Sequence, residues 1–228
     1  MALPTINRVD DGERAPIMPP VKPHLRGWLH AGATPLVLAS GIVLVCLAPT
    51  AASRWAGAIY ALTALMLFGT SAVYHRFTWS PRATEMLRRM DHSNIYLIIA
   101  GSYTPIALLA LEGAIRTSLL VAIWVGAAAG VIFRVVWIAA PRWLYTALYV
   151  VLGWSIIPFI GTLFAFDAAA ACLTLAGGVL YTAGGIVYAI KKPNPNPTWF
   201  GFHEVFHSLT IAAWASQYVA ISLLTYRQ

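Results

Sequence analysis

Seven long apolar stretches constrain this chain more than any other feature of its sequence. A bilayer core about 30 Å thick requires about 20 apolar residues in a helix. Charged residues make up only 10% of the chain, against about 25% in a typical soluble domain. We therefore predict an all-α polytopic membrane protein. Its seven transmembrane helices are expected at Trp28–Leu47, Trp55–Tyr74, Ile95–Leu111, Thr117–Ala139, Leu144–Phe164, Ala168–Ile190 and Phe202–Tyr226.

The segments between and before these stretches are expected to add no second domain. Residues 1–26 carry five prolines and charges of both signs, which predicts a disordered cytoplasmic tail without a cleavable signal peptide. Residues 27–228 are predicted to form one transmembrane domain. Pro105 and Pro158 should kink the third and fifth helices. Small residues should let the helices pack closely, namely Gly126, Ala127, Gly130, Gly177, Gly178, Gly184 and Gly185.

Basic residues predict the orientation, because they concentrate on the cytoplasmic side of membrane proteins. With the N-terminus inside, twelve of the 15 Lys and Arg residues fall on the inner side, if Arg134 snorkels to that surface. Only Arg54, Arg116 and Arg227 remain outside. The N-terminus is thus predicted to be cytoplasmic and the C-terminus outside, in a multi-pass protein of the plasma (inner) membrane. The positive charge suits anionic inner-leaflet lipids better than nucleic acid.

Residues 80–89 and the two cysteines each allow more than one structural interpretation. Residues 80–89 begin with a Ser cap followed by Pro, and fit either an interfacial helical turn or a basic loop that only sets topology. Cys46 and Cys172 fit buried structural thiols, although a disulfide stays possible.

Polar residues cluster at the predicted inner ends of three helices. The sequence SAVYH (71–75) ends the second helix, DHSN (91–94) begins the third, and HEVFH (203–207) begins the seventh. Ionisable residues within a membrane span are costly, so they are candidates for function. No comparable cluster occurs at the predicted outer ends, where Glu112 and Asp167 fit ordinary loop charges.

The spacing within these clusters suits a metal ion. His203 and His207 are four residues apart and share a helix face, and His75 from another helix can supply a third ligand. Three neutral His ligands plus water form a known catalytic zinc arrangement, in which the pKa of the water falls to about 7. Asp91 could orient or deprotonate that water, or serve only as a helix cap. Ser71, one turn from His75, could donate a hydrogen bond to the water or to a substrate oxygen.

The remaining histidines and Glu204 allow simpler interpretations. His24 and His30 are expected to be interfacial, and His92 points about 100° away from Asp91 around the helix. HEVFH also matches the HExxH pattern of metalloproteases, in which the Glu is the base. Because Glu204 lies about 100° from its neighbouring ligand, we expect it to face a neighbouring helix or the lipid interface. An intramembrane metalloprotease is therefore a minor alternative.

Three motifs together resemble the hemolysin III family, a relative of the progestin and adiponectin Q receptors within an alkaline ceramidase-like superfamily. They are SAVYH (71–75), DHSNIYLIIAGSYTP (91–105) and GFHEVFH (201–207), and the resemblance covers about residues 28–226. It implies a seven-helix fold with zinc bound by His75, His203 and His207, and with Asp91 and Ser71 as active-site residues. Gln217 departs from the pattern, which in many bacterial members has His at that position.

The resemblance also implies a function. Active members of the superfamily hydrolyse lipid amides, and bacterial relatives are linked to membrane lipid homeostasis. A zinc-dependent hydrolase of a membrane lipid amide or ester is thus the leading expectation. A non-enzymatic sensor or receptor with structural zinc is the rival. The identity of the lipid and the oligomeric state are left open by the sequence.

Overall fold

The computed structural model describes residues 23–228, and within that range its regular structure is helical with no β-strand. The helices are α1 (Trp28–Cys46), α2 (Ala51–Arg76), α3 (Pro81–Ala110), α4 (Gly113–Val136), α5 (Arg142–Gly153), α6 (Ile160–Phe166), α7 (Ala168–Ile190) and α8 (Phe202–Tyr226). A short 3₁₀ helix, Ile157–Phe159, joins α5 to α6, and these three pieces form one span. The prediction of seven spans is confirmed. Residues 1–22 of the predicted tail lie outside the described residues.

The third helix begins earlier than its apolar stretch predicts. We expected residues 80–89 to form an interfacial turn or a loop, but they are the first turns of the continuous helix α3. The predicted cap is present, since the Ser80 side chain accepts a hydrogen bond from the backbone of Ala83 and Pro81 follows it. Nothing between Arg82 and Asp91 breaks the helix, so α3 extends well beyond the bilayer core.

The fifth span is interrupted at the position of Pro158. Its α-helix ends at Gly153 and resumes at Ile160. The Tyr103 hydroxyl of α3 closes the gap: it donates to the Gly153 carbonyl (2.6 Å) and accepts from the Ile156 amide (3.0 Å). Backbone groups freed inside a membrane must find such partners. Pro105, in contrast, lies inside the unbroken α3.

Helix α3 is the central element, in contact with α2, α4, α5, α6 and α8. Close packing is confirmed at three of the predicted small residues: a Cβ atom on Gly130 would lie 2.3 Å from the Tyr96 ring, one on Gly126 would lie 2.6 Å from Leu152, and one on Gly177 would lie 2.7 Å from Gln217. At Gly178 the nearest atom would be at 3.6 Å, an ordinary contact. Gly101 makes a closer approach that we did not predict. A Cβ atom there would lie 1.9 Å from Thr63 Oγ1 on α2.

The end of the bundle that carries His75 and His203, called here the histidine end, is covered by residues 23–26. These four residues belong to the tail that we predicted to be disordered, yet they are held against the loop before α8. The His24 amide donates to the Thr198 carbonyl (2.9 Å) and the Leu25 amide to that of Trp199 (3.3 Å). The two cysteines also differ from expectation, because both are free and exposed on the surface of the bundle.

Candidate metal centre

Three histidines from two helices meet at the histidine end. His75 lies in the last turn of α2, and His203 and His207 lie on one face of the first turns of α8. One ring nitrogen from each lies within 4.8 Å of the other two. The Nε2 atoms of His75 and His203 are 3.2 Å apart. Both His75 and His207 are buried.

This spacing fits a single metal ion. Two His nitrogens bound at about 2.0–2.1 Å to a tetrahedral ion lie roughly 3.3 Å apart, which the distance between His75 and His203 already matches. Neutral imidazole nitrogens are also the donors that such an ion requires. The three histidines could therefore hold a metal ion with small side-chain movements.

Residues at the start of α1 contact the end of α2 and so restrict the position of His75. Gly27, just before α1, has φ 80°, and a Cβ atom there would lie 2.8 Å from Cβ of His75. Only glycine combines this left-handed conformation with so close an approach. Arg76, the next residue, stacks over the Trp28 ring with its guanidinium carbon 4.0 Å from the ring centre. The start of α1 thus clamps the end of α2.

Asp91 and Ser71 adjoin the histidines, as the sequence predicts. Asp91 Oδ2 lies 3.8 Å from His75 Nε2, and Ser71 is buried on α2 one turn before His75. Both residues line the same cavity as the three histidines. The structure brings the five predicted residues together, and their chemical roles stay predictions.

Glu204 does not face the other site residues. Its carboxylate Oε1 pairs with Arg26 Nε at 2.5 Å, and Oε2 accepts from the Gly201 amide at 2.9 Å. The side chain is 1% exposed. We expected Glu204 to face a neighbouring helix or the lipid interface, but its partner is the segment before α1. Its placement away from the metal centre agrees with the helical geometry.

His30 is the main residue at this site that sequence reasoning missed. We expected it to be interfacial, and this is wrong: it is 2% exposed. Its ring stacks on that of His207, with centroids 3.7 Å apart and planes 4° from parallel. Phe68 contacts its edge. Its position in the sequence could have indicated this, because His30 lies two residues into α1, at the same end of the bundle as His75. His24, in contrast, is exposed and stacks on Trp199.

His92 lies near the metal centre but is engaged elsewhere. Its Nδ1 lies 2.7 Å from the carbonyl of Arg88, and its Nε2 lies 3.3 Å from the Tyr188 hydroxyl. It does not belong to the group of histidines that could share an ion.

A cavity of about 510 Å³ extends from the metal centre into the bundle. Its size is that of a pocket for a small organic ligand. The histidines, Asp91 and Ser71 line one end, and Ile106 and Gln217 line the other. Gln217 is buried, and its amide donates to the Thr174 carbonyl at 3.1 Å. Ten residues of helix, about 15 Å, separate it from His207, so it lies beyond reach of the same ion.

Known proteins resemble this chain over most of its length. The model of a family described as "Haemolysin-III related" matches residues 19–218. A protein named "Hemolysin-3 homolog" from Bacillus subtilis (strain 168) is 31% identical over 185 residues, which cover 79% of this chain and 83% of that protein. A protein named "Hemolysin-3" from Bacillus cereus is 31% identical over 173 residues, covering 75% of this chain and 76% of that protein.

Proposed function

Because this chain belongs to the haemolysin-III related family, a family of multi-pass membrane proteins, we propose that it is a zinc-dependent hydrolase of a membrane lipid amide or ester. One observation carries the proposal: three His donors that could share an ion lie at the end of a ligand-sized cavity, next to a carboxylate and a hydroxyl. We place the protein in the inner membrane, with the histidine end facing the cytoplasm and a role in membrane lipid homeostasis.

The proposed ion is zinc, held by His75, His203 and His207. It would supply a Lewis acid that polarises a carbonyl oxygen and a water of lowered pKa. Imidazole donors suit zinc, copper, iron and nickel better than magnesium or calcium, and among these ions zinc is the one that the resemblance to the hemolysin III family implies.

Asp91 and Ser71 supply the polar chemistry of the chain itself. Asp91 Oδ2 accepts a proton or orients a water beside His75, and Ser71 donates to that water or to a substrate oxygen. A general base in this position contributes about 10²–10⁴-fold to the rate of such a reaction. The apolar part of the cavity would hold the lipid chain and exclude bulk water from the carbonyl.

The rival function is a sensor or receptor in which zinc is structural. One distance supports this alternative. Asp91 Oδ2 lies only 3.8 Å from His75 Nε2, so a small shift would make the carboxylate a fourth ligand of the ion. Four protein ligands typify a structural zinc site, whereas three plus water typify a catalytic one. The third possibility, an HExxH protease, requires a free Glu204, but that carboxylate already pairs with Arg26 and Gly201.

Metal content of purified variants tests the proposal. His75→Ala, His203→Ala and His207→Ala should each lose zinc, measured by plasma mass spectrometry after dialysis. Asp91→Ala should keep the zinc and abolish hydrolysis. His92→Ala is the matched control, because it changes a histidine nearby that binds Tyr188 and the Arg88 carbonyl instead.

Two results would contradict the proposal. If the three His variants retain zinc as the His92 control does, the metal centre is misplaced. Loss of zinc from Asp91→Ala, together with a visible spectrum of the cobalt-substituted protein that does not change as pH rises through about 7, where a metal-bound water would ionise, would favour the structural site of a sensor.

A further inference from the structure

A second polar cluster lines the same cavity next to the three histidines, since the ring of its member Tyr188 lies 5.7 Å from that of His203. It comprises Arg134 of α4, Arg142 and Tyr145 of α5, Tyr188 of α7 and His92 of α3, and we call it the arginine–tyrosine cluster. The Arg134 guanidinium lies over the Tyr145 ring at 4.3 Å and that of Arg142 over the Tyr188 ring at 5.0 Å. Tyr145 donates to the Tyr188 hydroxyl at 3.3 Å, which ties the two pairs together.

Arg134 carries a buried charge that no carboxylate neutralises. We expected it to snorkel to the surface, but it is 1% exposed and faces the cavity. Its two terminal nitrogens reach the Trp137 and Ile138 carbonyls only at 3.4 Å, the long limit of a hydrogen bond. Its Nε has no hydrogen-bond partner among the described residues. Burial of a cation without a counter-ion is unfavourable.

Arg142 repeats this pattern at the start of α5. It is partly buried, and its Nη1 is a buried atom without a hydrogen-bond partner among residues 23–228. The ion pairs found in that range involve other groups, so neither Arg134 nor Arg142 has a carboxylate within 4.0 Å. A purely structural role for Arg134, capping the end of α4, explains its two carbonyl contacts. That role does not explain why Arg134 Nε and Arg142 Nη1 are buried without hydrogen-bond partners among the described residues.

Charge around the cavity is strongly unbalanced. Four arginines line it, Arg26, Arg88, Arg134 and Arg142, whereas Asp91 is its one lining carboxylate among the described residues. Arg26 is neutralised by Glu204 and Arg88 is exposed. Asp91 lies beside His75 in the metal centre. The arginine–tyrosine cluster is therefore the part of the cavity that lacks an anion.

The cavity continues from this cluster into an apolar arm. Its lining on α3 runs from Arg88 to Ile106, eighteen residues or about 27 Å of helix. Ile98, Ile99 and Ile106 line that arm from α3, and Ile156 lines it from the interrupted fifth span. The polar side chain of Gln217 lies at its far end, where its amide donates to the Thr174 carbonyl. A ligand that fills the whole cavity thus has one anionic group and a long apolar chain.

We propose that the arginine–tyrosine cluster binds the phosphate group of an anionic lipid whose chain occupies the apolar arm. This subsite rests on the proposed lipid hydrolase and names the class of its substrate. Two guanidinium groups match the charge of a phosphate monoester, and their planar N–H pairs suit its oxygens. The Tyr145 and Tyr188 rings hold the guanidinium groups in place by cation–π contacts.

Equilibrium binding to the full-length protein tests this subsite without turnover. The protein is solubilised in detergent and stripped of metal with a chelator, and the probe is tritiated 1-oleoylglycerol 3-phosphate. Neutral 1-oleoylglycerol, with the same chain, should bind at least about tenfold more weakly, as expected for loss of charge-assisted hydrogen bonds. Inorganic phosphate, which lacks the chain, should compete only at far higher concentration.

Variants assign the effect to the cluster. Arg134→Gln should weaken binding of the phosphate lipid about tenfold and leave binding of the neutral lipid unchanged, with Arg134→Lys in between. Arg142→Gln should also weaken binding of the phosphate lipid. It replaces Arg134→Gln in the test if that variant does not fold, because Arg142 is partly exposed at the start of α5 and its substitution should disturb folding less. Arg82→Gln is the matched control, since Arg82 is exposed and outside the cavity.

Equal affinity for the charged and neutral lipids would overturn the proposal. So would phosphate-lipid binding that is the same in the Arg134 and Arg142 variants as in the Arg82 control. If inorganic phosphate binds as tightly as the lipid, the cluster is a site for free phosphate and the lipid assignment is wrong. Because the binding experiment uses metal-free protein, these outcomes are independent of whether the metal centre hydrolyses anything.

Discussion

Glu204 is a buried carboxylate that stabilises the start of α8 without facing the candidate metal site. It is 1% exposed, pairs with Arg26 and caps the first turn of α8, the helix that carries two of the proposed ligands. Removal of one partner from a buried ion pair typically costs about 3–5 kcal/mol. Arg26 is 18% exposed and retains some solvation, so we expect a smaller loss.

We predict that Glu204→Gln lowers the free energy of unfolding by about 1–3 kcal/mol and leaves zinc bound. The measurement is denaturant unfolding in detergent micelles together with metal analysis. Glu85→Gln is the matched control: its pair with Arg89 is exposed on α3, and such pairs contribute about 0–1 kcal/mol. If both changes cost the same, the pair with Arg26 is not a stabilising contact. An inactive Glu204→Gln enzyme of normal stability with zinc bound would restore the protease alternative.

The individual site residues could be predicted from sequence where one helix determines the geometry. The four-residue spacing of His203 and His207 fixes their common face, and the orientation of Glu204 away from them follows from the same helix. His30 and Arg134 could not be placed in this way. Whether a side chain near a helix end turns inward depends on neighbouring helices, here Phe68 of α2 and Tyr145 of α5.

At the scale of helices, α3 organises the bundle through close contacts along its length. Its 30 residues span about 45 Å, against a bilayer core of about 30 Å. Apolar stretches reveal only the part of a helix that lies within lipid, so the first turns of α3 could not be predicted from hydropathy. The break in the fifth span was predictable from Pro158, whereas the role of Tyr103 in closing it was not.

Gly101 provides a test of that packing. We predict that Gly101→Ala destabilises the protein by about 1–3 kcal/mol, the usual cost of overpacking, because the new Cβ would meet the β-branched Thr63 at 1.9 Å. Unfolding in detergent micelles measures the change. Gly69→Ala on α2 is the matched control: it has open space around its Cβ position, and a helical Gly→Ala change there should be neutral or stabilising. Equal effects at the two positions would show that α2 and α3 are not packed as described.

At the scale of the whole molecule, seven spans place the two ends of the transmembrane domain on opposite sides of the membrane. The basic residues predict which side is which. Arg227, which we place outside, pairs with Asp167 at 2.8 Å and so tethers the end of α8 to the start of α7. The number of spans could be predicted from apolar length alone, because each stretch is long enough and separated by breakers.

We predict that a reporter active only in the cytoplasm will be active when fused in the loop between α2 and α3 and inactive when fused after Gln228. A periplasmic reporter should give the reverse pattern. The control is a fusion in the loop between α1 and α2, expected outside. Cytoplasmic activity of the fusion after Gln228 would contradict both the orientation and the cytoplasmic location of the histidine end.

The separation of the candidate metal ligands along the chain has a consequence for biosynthesis. His75 precedes His203 by 128 positions, and four spans must leave the ribosome and enter the bilayer between them. At roughly 5–20 residues per second, the nascent chain carries an incomplete ligand set for about 6–26 s. An ion held by all three histidines could be captured only after the final helix has joined the bundle, so under the proposed function metal uptake would mark the completion of membrane insertion.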